Sequence, residues 1–384
     1  MHIAFLTPEF PLKKYPHSGG LGTSIQNLSQ ALIAKSIKVT VFLYGQNQEE
    51  NFQENGINFY IIPFKKCAFL NWYFQKKDIE KTVNKVISEQ NIDILEAADW
   101  TGITSFMRFK IPVLIRFHGS DTYFCKLEDR KQKFKNYLLE KLAINKAAGF
   151  IAPTQFAGDF SAKLFSISKN KIEKIFYGLE LQKFNNTAPT VFEENTILYI
   201  GTIIRKKGVL EIPEIFRKVL QSIPNAKLVL IGTDSVDKIT NSKSTWKMVD
   251  TLFTEKEKLQ VSYLGKLPYS EVQQHIQKAN VCIFPSFAET LGMVTIESMA
   301  MQKAVVNTNI GWAKELLEDG KSGFLVHPKE HDLFASKIIS ILEDKSLALE
   351  LGKNAREFVQ RHFDIRQIAD KNIQYYSKYL THFK

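Results

Sequence analysis

The sequence predicts an α/β protein of two doubly wound domains, and three observations carry that prediction. At 384 residues the chain is too long for one ordinary hydrophobic core and long enough for two. Short β-rich apolar runs alternate with helical periodicity, the rhythm of an open parallel sheet with crossover helices. That rhythm breaks once, at the polar, Pro-containing "GLELQKFNNTAPTVFEEN", and then restarts. The first set of strands is "HIAFLT", "KVTVFLY", "NFYIIP", "DILEA", "PVLIRFH" and "GFIAP", with a helix from about Gly22 to Lys35 after the first. The second set is "TILYIGT", "AKLVLIGT", "QVSYLGK", "NVCIFPS", "KAVVNT" and "GFLVHP". The domains are therefore expected at 1–185 and 186–363. A last helix, about 364–384, carries "DIRQIADKNIQYYSKYL" with its apolar residues on one face, and is expected to pack back on the first domain. The stretch "DSVDKITNSKSTWKMVDTLFTEKEK" reads as a polar surface insertion in the second domain. Nothing repeats at a fixed short period, which excludes solenoids and propellers.

Composition narrows the class. With 44% hydrophobic and 24% charged residues, the chain belongs with soluble globular proteins. Its opening, "MHIAFLTPEF", reads as a first strand and not as a signal peptide, and no segment approaches the roughly 20 apolar residues of a membrane-spanning helix. The three cysteines, Cys67, Cys125 and Cys282, are odd in number and have no metal-ligand spacing, so reduced thiols in the cytoplasm are expected. The formal charge of +11 leans towards the N-terminal half: residues 1–180 hold 24 Lys and Arg against 17 Asp and Glu. Much of that excess lies in "KLEDRKQKFKNYLLEKLAINK", where Lys126, Arg130, Lys131, Lys133, Lys135, Lys141 and Lys146 share a helical pattern with Phe134, Tyr137, Leu138 and Leu142. Such a surface suits an anionic membrane, an acidic acceptor or a phosphate-rich ligand; its plainer alternative is a solvated helix face over the domain's own core.

Ligands of open α/β sheets sit beyond the carboxyl ends of the strands, where helix N-termini offer N–H groups and a positive dipole end to anions. Three loops have that address. In "HSGGLGTSIQNLSQAL", Gly19, Gly20 and Gly22 open a helix and let backbone approach a phosphate, although such glycines are as often a tight turn. In "YIGTIIRKKGVLEIPEIF", Arg205, Lys206 and Lys207 precede Gly208 and a helix, where cations either hold a diphosphate or form a solvated turn. In "FPSFAETLGMVTIESMA", Glu289 lies in the loop with Thr290, Leu291 and Gly292 at the expected helix start, while Glu297 leans back from within the helix. Amides and a carboxylate pair placed so read as recognition of a sugar joined to a nucleotide; the alternative makes Glu289 a helix cap and Glu297 a surface residue.

Taken in order, "GGLGT", "HGSD", "YIGTIIRKKGV", "FPSFAETLGMVTIESMA" and "NIGWAKELLEDGKSGFLVHP" resemble glycosyltransferase family 4 over nearly the whole chain. The resemblance implies a GT-B fold, two Rossmann-like domains facing a central cleft, and a retaining transferase. It implies that Glu289 binds donor-sugar hydroxyls, Glu297 the nucleotide ribose, and Lys207 with Arg205 the donor diphosphate. The chain departs from pattern at Thr202, where many members place Arg directly after the strand glycine. His118 in "RFHGSDTY" ends a strand, and the resemblance supports a contact near the anomeric carbon, while Asp121 reads as a cap of the next segment. Acceptor recognition in this fold belongs to the N-terminal domain, which makes Asp99 and Trp100 in "AADW" a candidate acceptor edge.

Glu289, His118 and Lys207 are thus the expected catalytic set. Retention without a conspicuous nucleophile implies same-face transfer, the leaving diphosphate helping to deprotonate the acceptor hydroxyl. No Asp-x-Asp and no His/Cys cluster occurs, so neither metal nor resident cofactor is expected; the nucleotide-sugar is a substrate, the acceptor a glycan or lipid-linked hydroxyl, and nucleic acid no partner. A glycoside hydrolase would need its carboxylates flanking one bond and has no use for basic helix entrances. The remaining alternatives are a GT-B nucleotide-sugar epimerase and a glycogen- or starch-synthase-like glucosyltransferase; "TPEFP" and "GGLG" resemble the latter, although the chain is short for it and lacks its usual Lys before the first Gly-Gly.

Overall fold

The computed structural model describes residues 1–15, 19–64 and 70–380. Its chain divides into two compact units, Met1–Glu180 with Phe363–Lys384, and Leu181–His362.

The first unit is built on eight strands: β1 (His2–Thr7), β2 (Lys38–Gln46), β3 (Glu50–Glu54), β4 (Ile57–Pro63), β5 (Ile94–Ala98), β6 (Val113–Arg116), β7 (Gly149–Ala152) and β8 (Ile172–Lys174). Their order is β3-β4-β2-β1-β5-β6-β7-β8, parallel throughout except for β3, which runs antiparallel to β4. Every residue of β1 and β5 is buried, as a central parallel strand covered on both faces requires. The helices are α1 (Gly20–Ala34), α2 (Asn71–Gln90), α3 (Asp121–Leu127), α4 (Phe134–Lys146) and α5 (Gln155–Phe165). The order reverses between β1 and β5, so the loops after these strands flank a topological switch point.

The second unit starts at β9 (Thr196–Ile200) and continues with α6 (Ile212–Ser222), β10 (Lys227–Ile231), α7 (Thr245–Asp250), α8 (Glu255–Lys258) and β11 (Val261–Tyr263). It closes with α9 (Tyr269–Lys278), β12 (Val281–Phe284), α10 (Met293–Ala300), β13 (Ala304–Asn307), β14 (Phe324–Leu325), α11 (His331–Glu343) and α12 (Lys345–His362). The sheet order, β11-β10-β9-β12-β13-β14, is fully parallel and is the dinucleotide-binding order with its switch point between β9 and β12.

The last helix, α13 (Ile365–Leu380), belongs to the first unit, and its sequence shows how it is held there. Arg116 of β6 is clamped by Glu96 of β5 through Nε to Oε1 at 2.7 Å and Nη2 to Oε2 at 2.9 Å. From α13, Asn372 Oδ1 accepts from Arg116 at 2.5 Å and the Tyr376 hydroxyl donates to Glu96 at 2.6 Å. Each of these polar groups finds its partners inside the core, which is what a buried charge needs. Gly149 serves the same packing: a Cβ there would fall 1.9 Å from the Tyr379 hydroxyl and 2.5 Å from that of Tyr375.

Two expectations are corrected. The basic stretch from Lys126 to Lys146 does not form one helix: it splits into the end of α3 and all of α4, and Asp129 between them takes a left-handed φ of 47°. The supposed polar insertion after β10 instead contributes to the core, burying Val249 and Phe253 and stacking Trp246 on Tyr263 at 4.4 Å. Some of its polar residues cap its helices: Ser244 accepts from the Lys247 amide, and Thr254 with Glu257 forms a reciprocal capping box. Cys125 and Cys282 are buried free thiols, and Cys67 lies outside the described residues.

Candidate active site

The site in the second unit is assembled by two loops at its switch point. After β9, Gly201 leads into a single turn of 3-10 helix, Arg205–Lys207, that ends at Gly208 with φ 72°. Only glycine fits there, because a Cβ would stand 1.8 Å from the Pro285 carbonyl oxygen. This close approach lays the basic turn against the loop after β12, where the Phe287 amide donates to Lys206 O at 2.8 Å. Sequence separation of about 80 residues is thereby reduced to contact, and Lys207 Nζ donates to Glu289 Oε1.

The chemistry of that pair follows from its surroundings. Burial pushes the Lys207 pKa down and the Lys206 ammonium adds to the effect, while the Glu289 carboxylate favours the charged form. Lysine and carboxylate so placed neutralise each other until an anionic ligand offers the lysine a second partner. Arg205 is engaged differently: Nε and Nη2 grip Asp237 at 2.8 and 2.9 Å, and the guanidinium holds the Asp237 carboxyl well below the usual carboxylate range. Arg205 is therefore committed to a carboxylate of its own chain, a partner the sequence did not reveal because it stands 32 residues away in the supposed insertion.

The helix expected to begin at Thr290 begins at Met293. Thr290 and Leu291 are buried, and Gly292 caps α10 at φ 100°, so Gly292 alone of the three sits at the helix entrance. Glu297 lies inside α10 at 8% exposure and is not the surface residue of the plainer reading. Burial raises its carboxyl to about 7, and a hydrogen bond from the Tyr269 hydroxyl only partly opposes that rise.

In the first unit the candidates also gather at the strand ends. His118 follows β6; Asp99 Oδ1 accepts from its backbone amide at 2.9 Å. The imidazole stacks on Tyr177, with ring centroids 5.1 Å apart, and burial beside Arg116 pushes its pKa down to about 3, which leaves it neutral. Asp99 and Trp100, paired as an acceptor edge, part company: Trp100 is 47% exposed, whereas Asp99 is 2% exposed and holds the His118 turn. Burial, with the Glu140 charge adding to it, raises the Asp99 carboxyl to about 7. Asp121 does not cap α3; Ser120 does, accepting from the Tyr123 amide at 3.0 Å. At the entrance of α1, Glu9 Oε1 accepts from the amides of Gly19 at 3.0 Å and Gly22 at 2.8 Å, so a carboxylate of the chain already occupies the anion position expected there. Gly20 is the second residue of that trio and opens α1. Among the described residues no group of three His, Cys, Asp or Glu could hold a metal ion.

Two family models match, one after the other: "Glycosyltransferase Family 4" over residues 18–183 and "Glycosyl transferases group 1" over residues 182–358. An uncharacterized glycosyltransferase of Methanocaldococcus jannaschii is 22% identical, with 98% of each chain covered. The capsular polysaccharide biosynthesis glycosyltransferase CapM of Staphylococcus aureus is 26% identical over 64% of this chain and 66% of its own. Among solved structures, sucrose-phosphate synthase from Thermosynechococcus elongatus superposes with a TM-score of 0.79 at 20% identity, covering 98% of both chains. HepE of Anabaena in complex with UDP-glucose gives 0.75 at 19% identity, covering 98% of this chain and all of its own. The boundary between the two family matches falls where the fold passes from one unit to the next. The chain belongs to glycosyltransferase family 4, has the GT-B fold, and is a transferase of the EC 2.4 class.

Proposed function

We propose that this enzyme moves a sugar, with retention and without a metal, from a nucleotide-diphosphate sugar to a hydroxyl of a glycan or lipid-linked acceptor. Unit Leu181–His362 takes the donor and unit Met1–Glu180 the acceptor. The observation that carries this reading is the Lys207–Glu289 pair at the entrance of α10, a cation and a hydroxyl-binding carboxylate side by side at a switch point. Lys207 engages the diphosphate, Glu289 turns to the sugar hydroxyls, and Glu297 accepts from the ribose; Thr290, Leu291 and Gly292 line the approach. Arg205 reaches the diphosphate only by sharing itself with Asp237.

In the transfer, the bond from the anomeric carbon to the phosphate oxygen breaks while the acceptor oxygen bonds the same face of that carbon. The acceptor proton passes to the departing phosphate oxygen, and Lys207 stabilises the charge growing there. His118 contacts the sugar near the reacting carbon. Thermal stabilisation by UDP-, GDP- and ADP-sugars, compared between the wild type and Glu289→Gln, tests the assignment, because a ligand of the native state raises its apparent stability. A UDP-sugar is the first to try, since HepE holds UDP-glucose. No stabilisation by any of the three, or turnover abolished by EDTA and restored by Mg²⁺, would overturn the reading.

The same reading places the enzyme in the cytoplasm with peripheral contact to an anionic membrane; no helix among the described residues is long and apolar enough to cross one. Support comes from the start of α4, where Phe134 is 74% exposed, Leu138 lies one turn on, and Lys131, Lys133 and Lys135 are exposed around them. Lys135 also stands 4.8 Å over the Trp72 ring at the start of α2, close to exposed Leu70 and Phe74. Lysines at the positive end of a helix cost stability, so their place suits an anionic surface better than the helix itself. Near such a leaflet each contributes about 1 kcal/mol. Sedimentation with anionic vesicles at low and high salt checks this: no binding at low salt, or binding unchanged by Lys131→Gln, Lys133→Gln and Lys135→Gln together, removes the patch as an anchor.

A further inference from the structure

Tyr177, three residues beyond β8, touches His118 in two ways. Its ring lies nearly parallel to the imidazole, 11° between planes, and its hydroxyl stands 2.8 Å from Nδ1. The same hydroxyl donates to the Phe117 carbonyl oxygen at 3.1 Å. These contacts constrain the proton on the ring. A tyrosine hydroxyl has a single proton, and a carbonyl can only accept. The peptide that carries the Phe117 carbonyl is held at its other end, where the His118 amide donates to Asp99 Oδ1 at 2.9 Å, and its carbonyl oxygen accepts from the Tyr177 hydroxyl. With that proton spent on Phe117, the hydroxyl oxygen faces Nδ1 as an acceptor. Nδ1 must then carry the hydrogen, and Nε2, which takes part in no hydrogen bond among the described residues, keeps its lone pair.

We infer that Tyr177 is a positioning residue that fixes His118 as the Nδ1–H tautomer, so that Nε2 is presented to the substrate sugar as an acceptor for a hydroxyl proton. The inference rests on the reading of His118 as a sugar contact, and it deepens it: His118 acts neither as a cation nor as a proton donor. Burial beside Arg116 agrees, since it keeps the ring neutral across the working pH range. The backbone amide of His118 has a further partner of its own, Asp99. A sugar with a hydroxyl opposite Nε2 is preferred over its deoxy counterpart, because only the hydroxyl can donate.

The test is ¹⁵N NMR of ¹⁵N-histidine protein near pH 7, with His118→Gln used to assign the ring signals. The wild type is expected to show a protonated Nδ1 and an unprotonated Nε2 at His118, and Tyr177→Phe, which keeps the stacked ring, is expected to shift the proton to Nε2. In the same variant kcat should fall about tenfold, the scale of one misplaced hydrogen bond, with donor KM changed much less. A wild-type ring protonated at Nε2, or a Tyr177→Phe ring unchanged from the wild type, overturns the assignment. If the tautomer and its switch are as stated but His118→Ala turns over normally, the assignment to Tyr177 stands and it is the sugar contact of His118 that falls.

Discussion

Two ion pairs in this molecule have the same chemistry and different fates. Glu96 and Arg116 meet between neighbouring strands of the first unit, and Glu289 and Lys207 meet between two loops of the second. The first pair is at most 4% exposed, bidentate, and completed by Asn372 and Tyr376. The second is 15 to 19% exposed and stands at a helix entrance, with a lysine whose single charge can be shared with an incoming anion. Sealing from solvent, more than charge or residue type, separates the two: a buried, bidentate network is closed to a ligand, whereas a partly exposed lysine can still meet one.

The largest effect is expected from breaking the strut. Arg116→Met leaves Glu96 buried without its cation, which should cost about 3–5 kcal/mol of stability. Urea unfolding of the wild type and the variant measures it, and a loss under about 1 kcal/mol would mean that water reaches Glu96 and that the pair is not sealed. Breaking the second pair should act on turnover instead. Lys207→Ala is expected to lower kcat/KM by about 2–4 kcal/mol of transition-state stabilisation, roughly 30- to 1,000-fold, while the unfolding midpoint barely moves. Glu289→Gln should follow the same pattern. A variant of either residue that unfolds readily yet turns over normally would erase the contrast between the two pairs.

A milder test uses pH. Glu297 is raised to about 7 in the folded enzyme, so below that pH it is mostly protonated and above it ionised. On the proposed ribose contact, an ionised carboxylate accepts from hydroxyls more strongly, so donor KM should fall by up to about tenfold as pH rises through 7. Glu297→Gln, with nothing to ionise, should flatten that part of the profile. The stability effect has the opposite sign: a carboxyl whose pKa is raised on folding contributes most below its ordinary 4.5 and loses that contribution as pH rises through about 7. Tighter donor binding and lower stability over one pH window would separate Glu297 from groups that change both together.

How much of this was legible in the sequence differs between backbone and side chains. Alternating apolar runs and helical stretches foretold both sheets, and the glycines at 19, 20, 22 and 208 and the acidic loop at Glu289 lay where strand order reverses. Those signals are local, set by period and by turn chemistry. The partners were not legible, since Asp237, Tyr177 and Tyr269 reach Arg205, His118 and Glu297 only through tertiary folding. Adjacent residues also escaped: beyond the end of β5 no period says which of Asp99 and Trp100 turns inward, and the structure buries the charged one because it finds the amide of His118. The start of α10 was misplaced by three residues for a similar reason. Gly292 adopts a left-handed conformation that postpones the helix, although its sequence context favours an earlier start.

The smallest expected effect concerns Glu9, which brings the comparison to the entrance of α1. There the amides of Gly19 and Gly22, offered by the sequence as a phosphate cradle, already bond a carboxylate, so any anion bound at that helix end must displace Glu9 or do without those two donors. Glu9→Gln keeps an oxygen to accept from both amides but removes the charge that favours the positive helix end, a difference of about 0.3–1 kcal/mol. If the donor's phosphate uses these amides, its KM should fall about twofold to fivefold in the variant, and added sulfate should inhibit the variant more than the wild type because the vacated charge preference is open to either anion. Stability should drop slightly at the same time, since a neutral cap serves the helix less well. A donor KM that rises, together with unchanged sulfate sensitivity, would show that Glu9 supports the loop in its binding form and that Gly19, Gly20 and Gly22 are a turn closed by their own carboxylate.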